Sequence, residues 1–191
     1  EPLPSRLGAA RRDRPQPAWR YGALAAMFLL GIAIGWQLHA YRADQRNESL
    51  AWPRRAAIAH VVYSPEVRHP VEVGAEQEAH LVAWLSKRLG SPLKVPQLAA
   101  VGYALVGGRL LPGERGPVAQ FMYQDGRGQR LTLYVRINPD PSRETAFQFA
   151  QERGVGVFYW LDRRLGYALS GEVDKTELLR VAPAVHRQLT P

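Results

Sequence analysis

No cysteine occurs among the 191 residues. That excludes a disulfide framework and any thiolate metal site, so stability in an oxidising compartment has to come from packing alone. Acidic residues are the scarcer charge, 17 against 25 lysines and arginines, which leaves a net charge of +8 and a pI near 10.2. Such an excess points to nucleic acid in a soluble protein. Here Arg6, Arg11, Arg12, Arg14 and Arg20 crowd the N-terminus and the remaining basic residues are scattered singly, with no basic run interleaved with aromatics; no nucleic-acid partner is expected. Catalytic signatures are missing too. There is no His-x-x-x-His and no Gly-x-Ser-x-Gly elbow. Gly107-Gly108 and Gly154-Val155-Gly156 do not stand in the strand, glycine loop, helix order of phosphate binders. Glu66, Glu72, Glu76 and Glu78 show no sign of a poised acid/base pair. Among the histidines, His60, His69 and His80 would meet as a metal site only through folding. No catalysis, metal or cofactor is expected, and no internal repeat stands out.

What is present begins with an uncharged stretch, Tyr21 to Leu38, in which Gln37 is the only strongly polar side chain. About 18 residues at a helical rise of 1.5 Å cover roughly 27 Å, the hydrocarbon core of a thin bilayer. Trp19, Tyr21, Trp36 and Tyr41 stand at its two ends, where amphipathic rings favour the headgroup layer. A cleaved leader fits less well, because Leu38 and Tyr41 fall where small residues would be needed. A membrane-spanning helix over residues 19–41 is therefore expected, with the lipid bilayer as its partner. The arginines before it, against the balanced Arg42, Asp44, Arg46 and Glu48 after it, orient the N-terminus to the cytoplasm and the C-terminal part outside. Gly31 and Gly35 form a Gly-x-x-x-Gly pair, a candidate dimerisation face.

Four regions follow: a basic cytoplasmic linker over 1–18, the span over 19–41, an outer tether over 42–53 and a folded domain over 54–191. Roughly 140 residues after the span allow one domain with its own core. A helix or strand runs from Pro53 through Val62 and ends at Ser64-Pro65, and Pro70 to Val73 reads as a short strand. Glu76 to Leu89 is a helix with Leu81, Trp84, Leu85 and Leu89 on one stripe, stopped by Gly90 and Pro92. Strands follow: Val101–Val106 with a bulge or bend at Gly107-Gly108, then Val118–Gln124 and Gln129–Ile137 joined by Asp125-Gly126-Arg127-Gly128 as a hairpin. Phe147 and Phe149 mark another strand, Val155–Leu161 is apolar on both faces and reads as central in the sheet, and Gly166–Gly171 is the last strand. Asp174 caps a final helix whose buried stripe is Leu178, Val181, Ala182, Val185 and Leu189, with a kink or a restart expected at Pro183. The class is α+β: an N-terminal transmembrane helix, then an antiparallel sheet with helices before and after it.

The strings Ala59–Val73, Trp84–Leu89, Gly102–Pro112, Ala119–Tyr123, Arg130–Val135, Phe158–Trp160 and Gly166–Gly171 resemble the extracytoplasmic half of proteobacterial transmembrane anti-sigma factors. The resemblance spans most of residues 56–189. It implies a single-pass regulator of the bacterial inner membrane whose periplasmic domain receives a signal and whose cytoplasmic domain holds an extracytoplasmic-function sigma factor. That sigma-binding domain is expected upstream of Glu1, so a sigma factor would be a partner only through it. Release in such systems often proceeds by regulated proteolysis, and Arg42–Trp52 would offer the outer cut. A periplasmic protein or protease and a second copy are the other partners this layout suggests. Arg68, His69, Tyr103 and Arg109 lie in the matching strings and are the candidate contact residues, Arg68 and Arg109 serving equally as structural ion-pair partners. The alternative reading is a membrane-tethered envelope scaffold that binds a periplasmic partner constitutively.

Overall fold

The computed structural model describes residues 19–152 and 154–189; along the first helix it describes the side chains of Met27, of residues 29–37 and from residue 51 onward. The 1–18 linker, and the ring positions expected of Trp19, Tyr21 and Tyr41, lie outside the described residues. The first helix, α1, is Trp19–Tyr63. The chain divides into two compact units, Glu1–Asn47 and Glu48–Pro191.

In the first unit, the backbone is helical from Trp19, and the described side chains Met27, Leu29, Leu30, Ile32, Ile34 and Trp36 are all half exposed or more. A β-carbon added at Gly31 or Gly35 would meet nothing within 4 Å. Among the described residues no helix is long and apolar enough to cross a membrane. Much of the 19–41 stretch lies outside the side chains described.

The second unit is built on a seven-stranded antiparallel sheet. In chain order its strands are β1 (Val73–Gly74), β2 (Tyr103–Gly113), β3 (Gly116–Asp125), β4 (Arg130–Ile137), β5 (Thr145–Glu152), β6 (Val155–Leu161) and β7 (Leu165–Gly171), and in space they run β1-β2-β3-β4-β7-β6-β5. Helices α2 (Glu78–Leu89) and α3 (Lys175–Leu189) cover one face, and the Glu48–Tyr63 part of α1 packs on the other. Two periodicities of the sequence produce this. In β4, Leu131, Leu133 and Val135 enter the core under α2 and α3, while Tyr134 enters the core under α1; alternation by two sends neighbours to opposite faces. Leu81, Leu85 and Leu89 of α2, and Leu178, Val181, Ala182, Val185 and Leu189 of α3, are the buried stripes that helical spacing predicts.

The hairpin of β3 and β4 forms in the expected register, with Phe121 opposite Leu133 and Gln124 opposite Arg130. Asp125 closes its turn by accepting from the backbone N–H groups of Arg127 and Gln129 at 2.9 and 2.8 Å. The expected bulge is also present: β2 changes register between Leu105 and Gly107. Gly107 has φ of 148°, and a β-carbon there would come within 2.2 Å of the Val73 carbonyl oxygen, so only glycine lets β1 close onto β2.

Three expectations shift. Val155–Leu161 is buried on both faces yet lies one strand in from the edge, because β7 enters between β4 and β6 and helices cover both faces. Pro183 does not restart α3, which runs through it from Lys175 to Leu189, and Pro183 itself is exposed. Helix α1 passes through Pro53 rather than starting there, and residues 42–53 are helical.

Candidate functional site

The seam between α1 and the sheet gathers most of the buried polar side chains of the second unit. Trp52, Ala56, Ala57 and His60 recur at helical spacing and are all buried against β2, β3, β4, β6 and β7. Ala56 and Ala57 keep the helix close to the strands, and Trp52 meets Tyr159 edge to face at 5.5 Å. The Arg136 guanidinium lies 4.6 Å from the centre of the Trp52 ring, a cation–π arrangement. Burial lowers the Arg136 pKa to about 10.

His60 forms the polar centre of the seam, with Nδ1 3.1 Å from the Thr132 hydroxyl. Burial pushes its pKa down to about 4, so the ring is neutral at pH 7. Thr132 pairs with Ser170 across β4 and β7, and Gln120 stands between Arg109 and Tyr134 across β2, β3 and β4. The Gln120 amide, the Ser170 hydroxyl and Nε of both Arg109 and Arg136 are buried without a hydrogen bond among the described residues. Each such group subtracts from the stability of the seam.

The end of α1 is held by arginines that reach carbonyls. Arg130 donates from Nη1 to the carbonyls of Ser64 and Glu66, placing positive charge where the helix dipole is negative. Arg109 lies 3.7 Å from the Tyr63 ring centre and donates from Nη2 to the His69 carbonyl at 2.9 Å. On the outer side, Arg55 pairs with Glu114 at 2.5 Å and Arg54 with Glu152 at 3.9 Å. Glu114 is held below the usual carboxylate range by its hydrogen bond from Arg55.

The structure brings together two of the residues singled out from the sequence. Arg109 is buried and supports the loop through His69, whose side chain, like that of Arg68, is exposed. Both loop residues donate backbone N–H groups to Glu66, which lies below its ordinary pKa because of them. Tyr103 belongs to the opposite face: it is buried in the α2 and α3 core, its hydroxyl donates to Glu177 at 3.1 Å, and burial raises its pKa to about 12. Gly31 and Gly35 lie in the first unit. His60 is buried in the seam while His69 and His80 are exposed, and among the described residues no group of three or more His, Cys, Asp or Glu is placed to hold a metal ion.

Sequence reasoning passed over Thr132, Gln120 and Ser170. Their signal was available: polar residues on the faces of strands whose neighbours are apolar on both sides. No protein-family model matches this chain, and no curated protein matches it.

Proposed function

We propose that this chain is the membrane-anchored, signal-receiving half of a transmembrane anti-sigma factor. The apolar stretch of α1 would cross the bacterial inner membrane, and the Glu48–Pro191 unit would stand in the periplasm. The observation that favours this most is the exposure of Met27, Leu29, Leu30, Ile32, Ile34 and Trp36, between 50% and 77%, in a sequence without charge from Tyr21 to Leu38. Such a surface is unfavourable in water and favourable in hydrocarbon.

The seam is where such a receiver would register a change in its sheet. Within the Glu48–Pro191 unit, Trp52, His60 and Tyr63 of α1 are fixed on the sheet by Tyr159, Thr132 and Arg109. A change in the sheet is then felt directly by the Glu48–Tyr63 part of α1. The sigma-binding function would reside in a cytoplasmic domain ahead of Glu1. Regulated proteolysis of Arg42–Trp52 would require that helical stretch to unwind, since proteases act on extended backbone. The chemistry of the seam is positional: a neutral imidazole, hydroxyls and guanidinium groups that hold carbonyls and rings.

Reporter fusions test the proposal. A phosphatase that needs oxidised disulfides, fused after Pro191, is expected to be active in cells, and a cytosolic reporter at the same position inactive. The reverse pattern overturns the periplasmic placement. Co-purification of a sigma factor with the protein made from its complete reading frame tests the regulatory half, and its failure would favour the constitutive scaffold.

A further inference from the structure

The sheet ends on β5, which pairs with β6 alone among the described strands. Such an edge is a template for another strand, and proteins protect long edges with lysine, proline, an inward charge or a bulge. At the other end of the sheet β1 is only 2 residues long. β5 has 8 residues, Thr-Ala-Phe-Gln-Phe-Ala-Gln-Glu, and Ala146 to Gln151 contains no charge and no proline. Its one irregularity is a bulge between Thr145 and Gln148; from Gln148 to Glu152 the register with β6 is regular.

Ala146-Phe147-Gln148-Phe149-Ala150 reads the same in both directions. We infer that β5 is a self-pairing edge, joining two copies of this chain in an antiparallel β5–β5 contact about a two-fold axis through Gln148. Phe147 of each copy then stands opposite Phe149 of the other, Ala146 opposite Ala150, and Gln148 opposite itself. A two-fold contact requires a self-complementary patch, whereas an edge that receives a foreign peptide has no need of a symmetric sequence.

The side chains fit this pairing. Phe147 is 37% exposed, with its ring 4.8 Å from Trp160 and 6.2 Å from Phe158. Phe149 lies 5.0 Å from Phe158 on the same face. Aromatic residues directly opposite each other across an antiparallel pair are a favoured combination, and here two such pairs extend the row Trp160, Phe147. The alanines let the strands approach. At the ends, Glu144 of one copy meets Glu152 of the other, and each already has a guanidinium in its own chain: Arg163 at 2.9 Å from Glu144 and Arg54 at 3.9 Å from Glu152. An axis perpendicular to the sheet leaves the Glu48–Tyr63 segments of both copies on the same face. The pairing needs nothing from the anti-sigma reading, although two chains anchored in one membrane would be brought into this contact at high local concentration.

The test uses Gln148→Lys and Gln148→Glu in the full chain, in detergent, with sedimentation equilibrium as the readout and far-UV circular dichroism to confirm folding. Gln148 is exposed, so neither substitution disturbs the core. The unsubstituted chain is expected to dimerise. Each variant alone, with like charges on the axis, is expected to dissociate at about five-fold or greater higher concentration, and an equimolar mixture of the two to recover a heterodimer. A monomeric unsubstituted chain, variants as dimeric as the parent, or a mixture that fails to recover each overturns the proposal. In the cysteine-free background, Gln148→Cys gives a second measurement: a bismaleimide is expected to link two copies more efficiently at 148 than at 146 or 151. Equal yields, or linkage only to another protein, overturn it as well.

Discussion

His60 shows how a single side chain can tie the stability of the fold to pH. Its folded pKa is about 4 against an ordinary 6.5, so between those values the unfolded chain binds a proton that the folded chain refuses. The contribution of this residue is neutral above pH 6.5 and increasingly unfavourable as pH falls, reaching about 3 kcal/mol below pH 4. Urea midpoints measured from pH 7 to pH 4 should therefore fall, and His60→Gln, which keeps a polar partner for Thr132 but does not titrate, should flatten the part of that slope above pH 5. An unchanged slope would place the acid sensitivity in the carboxylates instead. At this scale the sequence showed a histidine amid Ile-Ala-His-Val-Val that suited helix or strand equally. Its buried neutral state follows from Thr132, 72 residues away, which no local pattern reveals.

Among the elements, α1 shows the widest gap between what was expected and what is found. Its spacing allowed a helix from Pro53, and Ser64-Pro65 ends it as expected. Which of its sides faces the sheet was not legible, because Ile58, Val61 and Val62 are more apolar than Ala56 and Ala57 yet are the exposed ones. Close approach to the pleated strands selects small residues over large ones, and Trp52 fills the wider space near Tyr159. Trp52→Ala is expected to destabilise the domain by about 3–5 kcal/mol through the cavity it leaves. The same variant should expose α1 to limited proteolysis before α3. If α3 were cut first, Trp52 would not be the anchor of the seam. In contrast, the buried stripes of α2 and α3 were read correctly because one broad apolar stripe meets one sheet face.

For the whole molecule, the two cores lie on opposite faces of one sheet and share its strands: β4 gives Leu133 to one and Tyr134 to the other. Neither core survives loss of the sheet, so circular dichroism and tryptophan fluorescence should report coincident urea transitions for the Glu48–Pro191 unit in the full chain. Separate midpoints would mean that α1 and the sheet unfold independently. The expected antiparallel sheet with helices before and after it is what the chain builds. The sequence also identified the β3–β4 hairpin, the Gly107 bulge and the stripes of α2 and α3, all features that arise within a few residues of one another. It could not place β7 between β4 and β6, since strand order depends on which long-range pairing buries most apolar surface.

Composition and local periodicity alone determined that this protein has an uncharged helical stretch and a cysteine-free α+β domain. Tertiary structure decided that Arg109 supports a loop carbonyl while Tyr103 faces the other core, that His60 is buried and neutral, and that β5 is left at the edge. The physical reason is the range of the forces. Propensity, alternation and turn chemistry act along neighbouring residues, whereas burial and desolvation depend on surfaces that meet only when distant segments are brought together.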